Sequence, residues 1–120
     1  MSGEAKPKQG SRLVDIALGY FKKEGYKLKT EAPIMEGFSG ITRRFDFIVQ
    51  KGRDEQVVWL RDWNRTIGVN VIINLDTASA DVGLANPIMI GEKFSDHAKS
   101  YSNRRKIMLL TRQKLTTTLR

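Results

Sequence analysis

The chain has 120 residues, of which 40% are hydrophobic and 28% charged, and a formal net charge of +8. Such a length and composition indicate one globular domain and exclude a largely disordered chain. The absence of cysteine excludes disulfides and thiolate metal ligands, and no apolar run approaches the roughly 18 residues that span a bilayer. We therefore expect a cytoplasmic protein that does not enter the membrane and whose charge favours nucleic acid or another polyanion.

The N-terminal part predicts a tail followed by a helix. Residues 1–10 lack any periodicity and should form a flexible tail. Ser11 is a favourable N-cap, and apolar residues at helical spacing predict a helix over residues 11–24 that Gly25 ends.

Three strands should follow this helix. Residues 26–32 predict a short strand and residues 33–40 a loop. Residues 43–50 predict a strand that returns as residues 55–63 through a hairpin turn over 51–54. Because the return strand is apolar at most positions, it should be central in the sheet.

Residues 66–83 fit two structures. Small and apolar residues on one helical face favour a helix over most of this stretch, whereas the β-branched residues leave a strand at 69–73 and a short helix as the alternative. Residues 87–90 and 107–110 predict two short buried strands, and residues 95–103 predict a helix capped by Ser95 between them. Residues 111–119 predict a final turn or helix.

The element order is helix, three strands, helix, strand, helix, strand. Strands joined by short turns should be antiparallel, and strands separated by helices should be parallel through right-handed crossovers. We therefore expect an α/β fold with a mixed sheet flanked by helices, forming one domain over residues 11–115, with a basic tail over 116–120.

Short motifs on these elements resemble the restriction-endonuclease-like fold, the PD-(D/E)xK nuclease superfamily, and in particular its Mrr-type and RecB-type branch. Asp46 lies where that family has a strand aspartate, and Trp59-Leu60-Arg61 lies where it has the (D/E)-x-K triplet. The other matching segments are Gly25-Tyr26, Asn86-Pro87-Ile88-Met89-Ile90, Phe94-Ser95-Asp96-His97-Ala98 and Ile107-Met108-Leu109-Leu110.

The resemblance implies a metal site that this sequence has partly lost. In the family, the strand aspartate and the triplet carboxylate hold Mg²⁺ beside the scissile phosphate, and the lysine helps to activate water. Trp59 offers no oxygen ligand, and Arg61 keeps the charge but cannot act as a base. We therefore expect Asp46 and Arg61 to be a vestigial catalytic pair, with no cofactor required. If the protein is active, Asp46 would bind Mg²⁺ together with a relocated carboxylate from Asp62, Glu36 or Asp15.

Nucleic-acid binding, to DNA in preference to RNA, is the function that charge and resemblance favour, with nuclease activity weak or lost. Basic residues near the degenerate triplet and in the run before the last strand are the candidate phosphate contacts: Arg44, Arg61, Arg65, Arg104, Arg105 and Lys106. The alternatives are an active Mg²⁺-dependent endonuclease or junction-cleaving enzyme, and a non-catalytic protein-interaction subunit.

Two tryptophans flank Arg61. Because Trp59, Arg61 and Trp63 share strand parity, they should lie on one face of the sheet. Such a trio can stack nucleic-acid bases, or it can form a core or dimer patch. With Met35 and Phe38 as further apolar surface, a homodimer remains an open alternative.

Overall fold

The computed structural model describes residues 12–119, so the predicted tail at 1–10 lies outside the described residues. The elements are α1 (Leu13–Lys23), β1 (Lys27–Glu31), β2 (Ile34–Glu36), β3 (Thr42–Arg44), β4 (Phe47–Lys51), β5 (Asp54–Leu60), β6 (Thr66–Ile67), α2 (Val69–Asp81), β7 (Ile88–Gly91), β8 (Lys93–Phe94), α3 (Asp96–Arg105), β9 (Met108–Thr111) and α4 (Arg112–Leu119).

Five strands form the central sheet in the order β1-β4-β5-β7-β9. The pairs β1–β4 and β4–β5 are antiparallel, whereas β5–β7 and β7–β9 are parallel. The helices α2 and α3 provide the crossovers between the parallel strands. This confirms the predicted mixed α/β sheet and the central position of the return strand.

Helices cover both faces of the sheet. Alternation along β5 directs Val58 and Leu60 towards the core under α1 and α4, and Val57 and Trp59 towards the core under α2 and α3. The predicted helix over 11–24 is confirmed as α1, which ends at a glycine in the left-handed region, Gly25 (φ 88°).

The predicted strand over 43–50 is wrong at its centre, because the chain changes partner there. Arg44 pairs with Ile34 of β2, whereas Phe47 pairs with the central sheet. The small β2–β3 sheet occupies part of the predicted 33–40 loop. Ala32, which has a left-handed backbone (φ 49°), lies between β1 and β2, and its amide donates to the Asp46 carbonyl at 2.9 Å, so the chain passes from the central sheet to the β2–β3 sheet beside Asp46.

The second correction concerns the return strand, which ends at Leu60 rather than at residue 63, so residues 61–65 form a loop. The helix predicted within 66–83 is confirmed as α2, and the alternative strand at 69–73 is wrong. Burial explains the outcome, since residues three or four apart turn to the core together: Ile72, Leu75, Ala78 and Ser79.

The final turn or helix predicted over 111–119 is observed as α4 (Arg112–Leu119), which includes most of the stretch also predicted as a basic tail at 116–120. The helix α4 continues to Leu119, because Leu115 is fully buried and Leu119 packs against the same core as α1. Over residues 12–119, no helix is both long and apolar enough to cross a bilayer.

Candidate functional site

The carboxyl ends of three parallel strands meet at one edge of the sheet, which we call the carboxyl edge. It is formed by the ends of β5, β7 and β9, the start of antiparallel β4, and the loop 61–65. Open α/β sheets bind ligands beyond the carboxyl ends of their strands. The carboxyl edge is therefore the candidate site.

Asp46 and Arg61 lie next to each other at this edge. The Asp46 carboxylate accepts a hydrogen bond from the Leu60 amide at 2.7 Å, and its Oδ2 lies 3.9 Å from Nη1 of Arg61. The Asp46 amide itself donates to the Val58 carbonyl at 2.9 Å. The backbone thus holds the aspartate in place, and its nearest cationic neighbour is a guanidinium.

By the resemblance seen in the sequence, Trp59 is expected to correspond to the family's triplet carboxylate. The Trp59 Nε1 donates to the Arg44 carbonyl at 2.9 Å, and the ring centre lies 6.3 Å from that of Phe45. The Arg61 guanidinium lies 4.9 Å from the Trp59 ring centre. Trp59 is therefore fixed from both sides, its single N–H is used by the Arg44 carbonyl, and it presents a π face instead of an oxygen ligand.

The side chains around Asp46 offer two carboxylates, those of Asp46 and Glu31, to a metal ion. A cavity of about 290 Å³ opens beside Asp46 and is lined by Val14, Glu31, Ala32, Asp46, Phe47 and Leu60. Within the described part of the chain, no three acidic or histidine side chains group closely enough to hold a metal ion. Mg²⁺ requires several oxygen ligands, and here one carboxylate already faces a guanidinium.

The three candidates for a relocated carboxylate point elsewhere. Asp62 lies on the opposite face from Arg61, where its carboxylate accepts from the Leu13 amide at 3.3 Å. Asp15 is 3.4 Å from the Arg12 guanidinium, and Glu36 is exposed on β2. None of them lines the cavity beside Asp46.

Sequence reasoning missed an ion network on the α1 side of the same edge. The Arg112 guanidinium bonds to Glu92 at 2.6 Å and to Asp62 at 3.2 Å. These three residues directly follow or lie just beyond β9, β7 and β5. The sequence could have indicated this network, because all three residues lie at or just beyond the ends of predicted strands and the carboxyl ends of parallel strands lie at the same end of a sheet. Glu31 was missed because its place beside Asp46 depends on the β1–β4 register.

The loop 61–65 alternates guanidinium and indole groups, and we call Trp59, Arg61, Trp63 and Arg65 the cation–aromatic stack. The Arg65 guanidinium lies 4.2 Å from the Trp63 ring centre, and the Arg61 guanidinium lies 6.0 Å from it. Trp63 is 36% exposed. The predicted trio on one face is thus brought together, with Arg65 added to it.

The six predicted phosphate contacts fall into two separate groups. Arg44, Arg61 and Arg65 lie at the carboxyl edge, whereas Arg104, Arg105 and Lys106 end α3 at the opposite, amino edge of the sheet. Arg105 binds the Asp76 carboxylate at 2.9 Å, and this hydrogen bond raises the pKa of Arg105. The same carboxylate accepts from the Tyr101 hydroxyl and raises the pKa of Tyr101.

The β2–β3 hairpin is tied to the end of α2. The Asp81 carboxylate accepts from the Ser39 hydroxyl at 2.7 Å, from its amide at 2.9 Å and from the Arg43 guanidinium at 2.9 Å. The Ser39 hydroxyl contributes most, followed by Arg43, to holding the pKa of Asp81 below its ordinary value. Of the predicted apolar surface here, Phe38 is 85% exposed, while Met35 packs against the α2 core.

Comparison with known proteins gives the same fold. The Mrr_cat family model, described as "Restriction endonuclease", matches residues 8–119. The crystal structure of "Protein of Unknown Function AF1548" superposes with a TM-score of 0.73 at 15% identity, covering 83% of this chain and 61% of that one. This identity supports the fold alone, and our chain spans about three-fifths of that protein. No curated protein matched. With nearly its whole length matched by the family model, the chain belongs to the Mrr_cat restriction endonuclease family and has a restriction-endonuclease-like fold.

Proposed function

We propose that this chain binds nucleic acid, DNA in preference to RNA, at the carboxyl edge, and that its Mg²⁺-dependent cleavage is weak or absent. The observation that carries the proposal is the replacement of oxygen ligands by cationic and indole groups around Asp46. Trp59 occupies the triplet position and Arg61 lies 3.9 Å from Asp46. A guanidinium binds phosphate directly, without a bridging metal.

Unpaired charge at the same edge supports phosphate binding. Among residues 12–119, neither Arg44 nor Arg65 has a carboxylate within 4.0 Å. Their charges add to that of Arg61, which lies 3.9 Å from Asp46. The net charge of +8 favours approach to a polyanion over long range. The second basic group, Arg104 to Lys106, would meet phosphates farther along a longer duplex.

Binding is tested by fluorescence anisotropy with labelled duplex DNA at several salt concentrations. Each phosphate contact should add about −0.9 to the slope of log affinity against log salt. We expect steep salt dependence with a slope of about −3 or beyond. A pull-down that recovers an acidic protein, with no measurable DNA affinity at about 0.15 M salt, would instead identify an interaction subunit.

Cleavage is tested separately with plasmid, single strands and a four-way junction, each with Mg²⁺ or Mn²⁺. We expect binding without appreciable cutting. If cutting is seen and Asp46→Ala abolishes it while binding persists, the assignment of weak or absent cleavage fails.

A second candidate, a metal-dependent endonuclease with a relocated carboxylate, is favoured by one observation. Glu31 lines the same cavity as Asp46, and its strand partner is Phe47, the neighbour of Asp46. The matched variants are Glu31→Gln and Glu36→Gln, which remove the same charge. This candidate requires Glu31→Gln alone to abolish cleavage while leaving DNA affinity within about twofold.

A further inference from the structure

We infer that the cation–aromatic stack binds unpaired nucleic-acid bases, with a base lying against the exposed face of Trp63 and phosphates meeting Arg61 and Arg65. This inference deepens the proposed function and rests on it. It assigns single-stranded or locally unpaired nucleic acid as the preferred partner, and it assigns Trp63 as the residue that distinguishes this partner from duplex.

The first argument is that contacts within the protein hold the Trp59 indole more firmly than the Trp63 indole. Trp59 is anchored through its hydrogen bond to the Arg44 carbonyl and by the neighbouring Phe45 ring. Within residues 12–119 Trp63 has no such bond, and it lies in the loop beyond the end of β5 with 36% of its surface exposed. Trp59 therefore serves as a rigid base for Arg61, and Trp63 is the indole that a ligand can reach.

The second argument is the placement of charge around Trp63. The Arg65 guanidinium lies 4.2 Å from its ring centre and the Arg61 guanidinium lies 6.0 Å away. A stacked nucleotide carries a phosphate on each side of its base, so an aromatic ring beside two cations matches it in both shape and charge. Arg65 has no carboxylate within 4.0 Å among residues 12–119 and is available for such a contact.

The third argument separates single strands from duplex. Inside a duplex, neighbouring bases cover each other's faces, and only phosphates and groove edges remain accessible. An indole gains nothing from duplex phosphates. The Trp63 indole should therefore add affinity for unpaired bases while leaving the purely electrostatic duplex affinity nearly unchanged.

The chain permits a direct optical test, because Trp59 and Trp63 are its two tryptophans. In Trp59→Phe, all tryptophan emission comes from Trp63. We expect a DNA strand of about 12 nucleotides, within the usual site size, to quench that emission on binding. A single-stranded RNA of the same sequence should also quench it, since every base has a π face, and the ratio of the two affinities gives the sugar preference.

Affinity measurements complete the test. Trp63→Ala should weaken single-strand binding about tenfold, and Trp63→Phe should recover most of it. Duplex affinity should change less than about twofold. The matched control is Ile73→Ala, since Ile73 is 37% exposed but lies on α2, and it should leave both affinities unchanged.

These experiments distinguish failure of the stacking inference from failure of the proposed nucleic-acid binding. If single strands bind but Trp63→Ala binds them as tightly as wild type and no quenching occurs, the stacking inference is overturned and nucleic-acid binding stands. If Trp63→Ala instead turns a dimer into a monomer without altering single-strand affinity, the surface is a self-association patch. If neither single strand nor duplex binds, both proposals fail.

Discussion

The two edges of the central sheet both carry cations and a cavity, but they hold their charges differently. At the carboxyl edge, guanidinium groups lie against indole rings and beside Asp46. At the amino edge, a cavity of about 550 Å³ is lined by both basic and acidic residues, among them Lys51, Asp54 and Lys106. Cations there lie against tyrosine rings instead of indoles, with Lys51 5.2 Å from the Tyr26 ring centre and Arg104 6.0 Å from that of Tyr101. Because both edges pair cations with aromatic rings, basic charge alone does not distinguish them. The carboxyl edge differs in its two indoles and in Asp46, and on that ground we propose it as the binding site.

The largest expected effect is the loss of the ion network at the carboxyl edge. Arg112→Met removes bonds to both Glu92 and Asp62, and it leaves two carboxylates close together without their cation. We expect the free energy of unfolding to fall by about 2 kcal/mol, measured by urea denaturation. The amino-edge control is Arg53→Met, at an exposed hairpin turn. If both variants lost the same free energy of unfolding, the ion network would stabilise the carboxyl edge no more than an exposed cation stabilises the amino edge.

The next effect concerns DNA affinity. The Arg44→Gln/Arg65→Gln double variant removes two cations of the carboxyl edge without breaking an ion pair. It should weaken duplex binding about tenfold and reduce the salt slope by about two. Lys27→Gln/Arg53→Gln removes the same charge at the amino edge and should change affinity by less than about threefold. If the amino-edge variant weakened duplex binding more than the carboxyl-edge variant, the binding surface would lie at the amino edge.

A smaller effect is expected from the cations that end α3. Arg105 already binds Asp76, whereas Arg104 has no carboxylate within 4.0 Å among residues 12–119. Arg104→Ala/Arg105→Ala should therefore weaken duplex binding only about threefold at low salt. If this variant binds as tightly as wild type, these residues are not phosphate contacts. Denaturation of the same variant checks that loss of the Asp76 bond has not unfolded it.

Periodicity and caps were enough to predict most of the fold. Alternation predicted that Arg61 and Trp59 share a face, and the Ser95 cap is present, with its hydroxyl accepting from the Ala98 amide at 3.1 Å. Local pattern could not reveal the break at Asp46, since a strand that changes partner keeps its alternation. The register that brings Glu31 beside Asp46 is likewise set by pairing across distant residues.

The smallest expected effect concerns the hairpin that connects the two edges. Its base adjoins Asp46, and its tip is bound by Asp81 at the end of α2. Hydrogen bonds from Ser39 and Arg43 lower the pKa of Asp81 in the folded state. The stabilisation is therefore complete above the ordinary aspartate pKa of about 3.9 and is lost as the pH falls through the lower folded value. In Asp81→Asn, the free energy of unfolding should lose this pH dependence.

Hydrogen exchange would locate the change that Asp81 protonation produces. The Ser39 amide donates to the Asp81 carboxylate, and the Phe38 amide donates to the Asp81 backbone carbonyl at 2.8 Å. Acidification should therefore release Ser39 before Phe38, and Asp81→Asn should expose Ser39 even at neutral pH. Amides of β5 other than that of Leu60, which donates to the Asp46 carboxylate, should stay protected in both cases, since their partners are backbone groups of the central sheet. If β5 and the hairpin lost protection together, the hairpin would unfold cooperatively with the central sheet. The hairpin could then not open without the two edges of the sheet.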